Sequence, residues 1–587
     1  MRGGTSLTAL LLLCAGAVAA ATSPAAQAPG VVAPQTPRQP APGVPPGPTR
    51  DRPATPAQEE GTASMRGVVV AADTGVPLRR AIVRANSTTG AGNAMVQTDE
   101  QGRFEVTRLP AGRYIVSVSR SGYVSMQFGQ RAPNQPGMPV TLEDGQSNDK
   151  VHFVLARGGA ITGRIVDEFG EPVSSAQVTA QRFSYMSGVR RMTGAGGEGG
   201  FDRTDDLGQF RLYGLAPGDY YVTATLRSAQ LMMPVTRAGT EPLEGYAPTY
   251  FPGTASLADA TRVIVKAGED TANVSFALLA TTVARISGRV TTSSGEPSRD
   301  AMLMVMPADD GMEMSGMGAT GTPIRGDGEF VTQPLAPGTY TLMVQRRFDP
   351  GASAGEVGKI DVAVNGTDVS GVLLVTGRGG IIRGRVVTED GTVPDFAPGS
   401  MRVMATPDGP RRMFSTPPAT VNADWTFELA GLLDPVRLNA FVEGGGRGWW
   451  ARRALLDGTD VMDVSIEAQP GRPVDGVEIV LSRKRTTLTG SVRDARGQPV
   501  TDVTVVAFAA DPARWTFAGR YVRSTRPDAN GTYSLSLVPT DDYRVIAVRG
   551  LESGQASDPE FLARAVEDAT AVDIREGETR TLDLQIK

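Results

Sequence analysis

From Ala63 onward, apolar and polar residues alternate in short runs broken by glycine and proline. In "TDEQGRFEVTRLPAGRYIVSV", Phe104 and Val106 alternate with Arg103 and Glu105. Leu109-Pro110-Ala111-Gly112 interrupts, and Tyr114, Val116 and Val118 resume the period. A period of two puts alternate side chains on one sheet face, so the stretch predicts turn, strand, turn, strand. The phrase returns as "TDDLGQFRLYGLAPGDYYVTA" from Thr204 and as "GDGEFVTQPLAPGTYTLMV" from Gly326.

Four signals recur in fixed order. An apolar strand carries a glycine, at Gly67, Gly163, Gly288, Gly384 and Gly490. A Gly/Pro turn follows, at Gly75/Pro77, Gly170/Pro172, Gly295/Pro297, Gly391/Pro394 and Gly497/Pro499. Gly permits positive φ there and Pro stops a strand from continuing. Next comes the opening phrase, with a ring at Phe104, Phe210, Phe330, Phe427 and Tyr533 and a second at Tyr114, Tyr220, Tyr340 and Tyr543. A Gly turn and an alternating strand close each unit, as in "GQSNDKVHFVL" and "GRPVDGVEIVL". Units carrying all four signals are whole domains rather than solenoid turns. The fourth copy departs from the pattern: Trp425 stands where the turn glycine belongs, and the Pro-Gly turn is lost.

The expected architecture is all-β, a tandem array of about five transthyretin-like (Ig-like) β-sandwiches at residues 63–157, 158–281, 282–376, 377–483 and 484–587. The "G-x-V…G-x-P…A-x-V" opening and the "D-x-x-G-x-F…L-x-P-G-x-Y" middle resemble the carboxypeptidase regulatory-like domain, a transthyretin-like fold related to starch-binding-like and Cna-B modules. The resemblance runs over nearly all of 63–587. It implies accessory domains of exported peptidases, outer-membrane transporters or polysaccharide-active proteins, and a wider fold that binds carbohydrate or protein partners.

The N-terminus changes the picture of location. Arg2 precedes an apolar stretch from Leu7 to Val18, and Ala17 and Ala19 offer an A-x-A cleavage site, so residues 1–21 read as a signal peptide. Cys14, the single cysteine, lies inside it, and Leu13 before it is a poor match to a lipobox. Residues 22–62, rich in Pro, Ala, Gln and Thr, read as a disordered linker. No later stretch is long and apolar enough to span a bilayer as a helix. The protein is therefore expected to be exported: periplasmic, cell-surface or secreted. A net charge of −5 lacks the basic footprint of nucleic-acid binding.

Catalysis finds little to work with. The chain has one His, His152, on the outward phase of a predicted strand: too few for the ligand set of a zinc carboxypeptidase, and a Ser-His-Asp triad would have to use that same residue. Once the signal peptide is removed no thiol remains. The opening strands carry Arg or apolar residues rather than Lys, which argues against the Lys–Asn isopeptide bonds of some Cna-B relatives. No cofactor is expected. A methionine cluster joins Met302, Met304 and Met306 on one strand phase to Met312, Met314 and Met317 in a loop. Its thioether spacing suits Cu(I), with core packing of the first three as the alternative.

Sugars are gripped by flat aromatic faces beside hydrogen-bonding groups. The candidate contacts are Trp449 and Trp450, Trp515 and Tyr521, and Tyr246, Tyr250 and Phe251. Adjacent Trp449 and Trp450 cannot both point inward from a strand. The sequence thus describes a non-catalytic exported array that binds a glycan or an envelope partner through sandwich loops. The alternatives are a spacer, or an accessory subunit of an envelope peptidase or transporter. Exposed, clustered aromatics belong to the binding reading and buried tryptophans to the spacer.

Overall fold

The computed structural model describes residues 61–586, apart from 89–92, 196–198, 227–242, 299–300, 309–319, 347–355, 409–415, 444–447, 517–518 and 538. The signal-peptide reading, nearly all of the linker, and Met312, Met314 and Met317 fall outside the described residues.

The fold is all-β. Five hydrophobic clusters each draw on one stretch of chain: Ala63 to Leu155, Ile161 to Leu278, Ala284 to Leu374, Ile382 to Leu481 and Leu488 to Leu584. We number the corresponding sandwiches one to five. In the first, the opening strand Ala63–Ala71 runs antiparallel to Arg103–Leu109 and parallel to the closing strand Phe153–Leu155. A second sheet is built on Ile82–Ser87 paired with Gly112–Ser119. The same central opening strand recurs at Gly159–Val166, Ile286–Thr291, Gly380–Thr388 and Thr486–Arg493, each between an antiparallel and a parallel neighbour. The strand Leu279–Val283 pairs with Leu243–Ala247 and so runs through position 281, where the sequence divides the second copy from the third.

The glycine of each opening strand is a matter of space. A Cβ at Gly67 would sit 1.8 Å from the Val151 carbonyl oxygen and 2.8 Å from the Phe104 ring. At Gly163, Gly288, Gly384 and Gly490 the same atom would meet the carbonyl oxygens of Val274, Val372, Val477 and Leu582 at 1.9–2.0 Å. The closing strand and the core ring both press on this point, so only hydrogen fits. The rings themselves are core: Phe104, Phe210, Phe330, Phe427 and Tyr533 are all buried. The second ring is pinned by its hydroxyl. Tyr114, Tyr220, Tyr340 and Tyr543 donate to the carbonyls of Pro110, Ala216, Ala336 and Pro539, four residues back, at 2.6–3.0 Å.

The fourth sandwich keeps the turn without its glycine. Trp425 holds φ +65°, matching Gly102 at +69° and Gly208 at +74°. Its carbonyl accepts from Val386 N as those of Gly102 and Gly208 accept from Val69 N and Ile165 N. A left-handed non-glycine residue is costly. Here the indole packs edge-on against Phe396, centroids 5.6 Å apart, and joins the edge of the core. The fourth sandwich also inserts an extra strand, Trp450–Leu456, antiparallel to its closing strand Val474–Ser482.

The fifth sandwich carries a second apolar layer. Val506, Phe508 and Val522 meet Leu551, Phe561 and Leu562, the last two on the α-helix Pro559–Ala565. The helix adds to the all-β pattern. Asp558 caps it and Pro559 opens it.

This sandwich also touches more than its neighbour in sequence. Buried Arg526 donates to the carbonyls of Gly129 (2.7 Å) and Pro136 (3.0 Å) in the first sandwich and to Thr501 O (2.6 Å) in its own. Arg113 donates to Ser534 O at 2.9 Å, and Ser553 N to Asn134 O at 2.7 Å. In the second sandwich Gly188 N donates to Gly554 O at 3.1 Å. Contacts with the first and second sandwiches, and with the fourth through Arg520 to Arg452 O and Arg452 to Glu576, converge on the fifth.

Candidate functional site

Four of the seven aromatic candidates lie at or beside one place, the junction of the fourth and fifth sandwiches. Trp449 points inward. It is 5% exposed within the fourth core, its Nε1 donates to Asp395 Oδ1 at 2.8 Å, and the Arg483 guanidinium covers its ring at 4.6 Å. No ring face is left for a sugar. Hydrogen bonds from Arg483 and then from the indole hold the Asp395 carboxyl below the usual range. Trp450 starts the inserted strand, half-buried, and donates through Nε1 to Lys484 O at 3.0 Å, where the chain passes into the fifth sandwich.

Trp515 and Tyr521 approach from the other side. Trp515 is half-buried on the second apolar layer, donating to Ala509 O at 2.8 Å and set edge-on to Phe508 at 5.6 Å. Tyr521 is half-buried under Arg514, whose guanidinium lies 4.7 Å from the ring centre. Burial raises its phenol pKa.

Charged residues that the sequence reading passed over bind the two sandwiches together. Arg520, next to Tyr521, is largely buried. Its Nε donates to Asp463 at 2.9 Å, one terminal nitrogen to Asp460 at 3.2 Å and the other to Arg452 O at 2.6 Å. Burial works against its charge, but the Asp463 hydrogen bond and the two carboxylates outweigh that and raise its pKa. Arg452, its side chain 11% exposed, lies between Glu389 (2.6 Å) in the fourth sandwich and Glu576 in the fifth. Arginine suits this use because its planar fork serves several acceptors at once. The only trace in sequence is an arginine-and-aspartate-rich pair of segments, "WWARRALLDGTDVMD" and "RWTFAGRYVR", each containing an aromatic candidate.

The remaining candidates sit in the second sandwich. Tyr250 is buried, and Phe251 meets Phe276 edge-on at 5.9 Å. Tyr246 is half-buried and donates to Glu168 at 2.8 Å; burial and that carboxylate push its pKa up to about 12. In the methionine strand, Leu303 and Val305 take the core, with Met306 also buried, while Met302 is 39% exposed. Met302 therefore does not pack in the core as the alternative to copper binding supposed. His152 is exposed. Among the described residues no group of three or more His, Cys, Asp and Glu side chains is placed to hold a metal ion, and no helix is long and apolar enough to cross a membrane.

Residues 64–156 and 487–587 match the carboxypeptidase regulatory-like domain family. No curated protein matches the chain. Solved structures similar to it include the Bacillus anthracis TIE protein, 10% identical over 72% of this chain and 73% of that one, with a TM-score of 0.15. A minor pilin of Streptococcus agalactiae is 12% identical over 37% of this chain and 95% of its own, TM-score 0.21. A major pilin subunit of Bacillus cereus is 9% identical over 54% and 99%, TM-score 0.14. No functional weight rests on similarities of this size.

Proposed function

We propose that this chain, whose first and last sandwiches match the carboxypeptidase regulatory-like domain, is a non-catalytic scaffold that holds its modules at set positions outside the cytoplasm. One observation carries the reading: the side chains best suited to gripping a ligand are spent inside the molecule. Trp449, Trp450 and Trp515 all donate their indole N–H groups to protein acceptors, and Arg520 and Arg452 close on carboxylates. A flexible spacer has no use for buried charge at a junction, because each such group costs desolvation and is tolerated only when its partners are fixed. Export rests on Arg2, the apolar run to Val18 and the alanines at 17 and 19.

A second reading keeps a glycan or envelope partner, since Trp450, Tyr521 and Tyr246 are only half-buried. A pull-down on polysaccharide and cell-envelope matrices separates the two. For the scaffold, wild type and Trp450→Ala/Tyr521→Ala are retained equally on every matrix. Loss of retention by the variant on one matrix alone transfers the function to that ligand.

A further inference from the structure

At one end of each sandwich two turns lie side by side: the Gly/Pro turn after the opening strand, and the turn that leads into the first ring. In the second sandwich they abut where a Cβ on Gly208 would come within 3.3 Å of Pro172. Both turns pass through a left-handed residue, and the residue just before it is exposed in all five copies. In the first turn that residue is Thr74, Ser294, Asp390 or Arg496, but Phe169 in the second sandwich. In the other turn it is Gln101, Asp327, Asp424 or Asn530, but Leu207 in the second sandwich. Positions that are polar elsewhere thus turn apolar together, in one copy and on adjacent turns. Phe169 is 82% exposed and Leu207 54%. Val76 and Val393 are also exposed on equivalent turns, but each neighbours a polar tip, Gln101 or Asp424, and apolar residues scattered singly are ordinary.

The apolar tip is held in place and ringed by charge. Asp167 Oδ1 accepts from Phe169 N at 2.9 Å and from Glu171 N at 2.8 Å. Asp205 Oδ1 accepts from Leu207 N at 3.0 Å and from Gln209 N at 2.7 Å. Tyr246 adds a third, half-buried ring, fastened to the first turn through Glu168. Five carboxylates occupy the two turns, Asp167, Glu168, Glu171, Asp205 and Asp206, and among the described residues none of them pairs with an arginine or lysine. Arg164 turns its Nε to Leu207 O, at 2.9 Å, rather than to a carboxylate. In the first and fourth sandwiches an acid of these turns is paired, Asp73 with Arg157 and Glu389 with Arg452. In the third and fifth an arginine shares the turns, Arg325 or Arg496. An exposed apolar centre inside an unneutralised polar rim has the anatomy of a contact surface.

We propose that this tip docks a partner protein through a segment in which large apolar side chains stand among lysines or arginines. Charge selects the occupant. The acidic rim repels anionic lipid headgroups and the same turns of a second copy. A basic segment gains both the apolar contact and the neutralisation of the carboxylates. Hydrogen bonds already fix both turns, so little ordering cost falls on this side of the contact. The surface lies in the second sandwich and is independent of the junction residues on which the scaffold reading rests.

The probe is a phage-displayed library of random dodecapeptides selected on the purified protein. Enriched peptides should combine Lys or Arg with a large apolar residue and bind with a Kd on the order of 1–100 µM. Phe169→Ser/Leu207→Gln, which copies the tips found at Ser294 and Gln101, should weaken them at least about tenfold with unchanged circular dichroism. Glu171→Lys/Asp206→Lys, a second variant that leaves the apolar tip intact, should weaken them as much. Val393→Ser should change nothing. Absence of enrichment, enriched peptides without cationic residues, or binding that survives both double variants overturns the proposal. So does Phe169-dependent flotation with phosphatidylglycerol vesicles, which assigns the tip to lipid. A dimer in sedimentation velocity that Phe169→Ser abolishes assigns it to a second copy and overturns the proposal equally.

Discussion

Replacing Gly384 by valine is expected to destabilise the fourth sandwich by more than about 3 kcal/mol, at the upper end of overpacking effects. The first added carbon alone would lie 2.0 Å from the Val477 carbonyl oxygen and 2.7 Å from Phe427 Cζ. Neither obstacle can move cheaply. The carbonyl belongs to a strand paired on both sides, to Gly380–Thr388 and to Trp450–Leu456, and the ring is buried in the core. Urea unfolding followed by tryptophan fluorescence reads this sandwich well, because three of the chain's four tryptophans, Trp425, Trp449 and Trp450, lie within it. Gly399→Ala is the control. Nothing lies within 4 Å of its added carbon, and a change within about 0.5 kcal/mol is expected. Equal effects at the two positions would remove the packing explanation for the five repeated glycines.

The second large effect belongs to Arg520. Arg520→Ala leaves Asp460 and Asp463, both on the fourth-sandwich side of the junction, without the cation that the fifth sandwich supplies, and removes the donor to Arg452 O. Breaking a buried pair from one side costs about 3–5 kcal/mol. That loss falls on the contact between the fourth and fifth sandwiches rather than on either core, so the two should cease to unfold together. Asp463→Asn should partly rescue Arg520→Ala, because neutralising the stranded carboxylate removes much of its penalty. A strictly additive double-mutant cycle would show that the pair does not couple across the junction.

Much of the fold is written locally. Period-two alternation places Val116 and Val118 in the first core. The recurring glycine and ring mark the point where closing strand and plug meet, even in the fourth copy, where Trp425 keeps the left-handed turn that a non-glycine residue disfavours. The short helix had a signal of its own, Asp558-Pro559-Glu560 followed by Phe561, Leu562 and Ala565, but it is a single small element among many strands. The junction was legible only in part. Alternation says that Trp449 and Trp450 point opposite ways, and Trp449 is the inward one because Asp395 waits for its indole in a loop distant in sequence. Arg520 finds Asp463 57 residues away and Arg526 finds Gly129 397 residues away. No local period carries such pairings, because they arise from how finished sandwiches dock.

That docking is most directly tested by a distance between the first and fifth sandwiches. Spin labels on Ala111→Cys and Thr532→Cys, in a Cys14→Ser background that leaves no other thiol, flank the Arg113 to Ser534 contact at exposed positions. A docked fifth sandwich gives one narrow, short distance by double electron–electron resonance, broadened by Arg526→Ala. A broad distribution in the wild-type background would mean that the sandwiches move independently, and the scaffold account would fail.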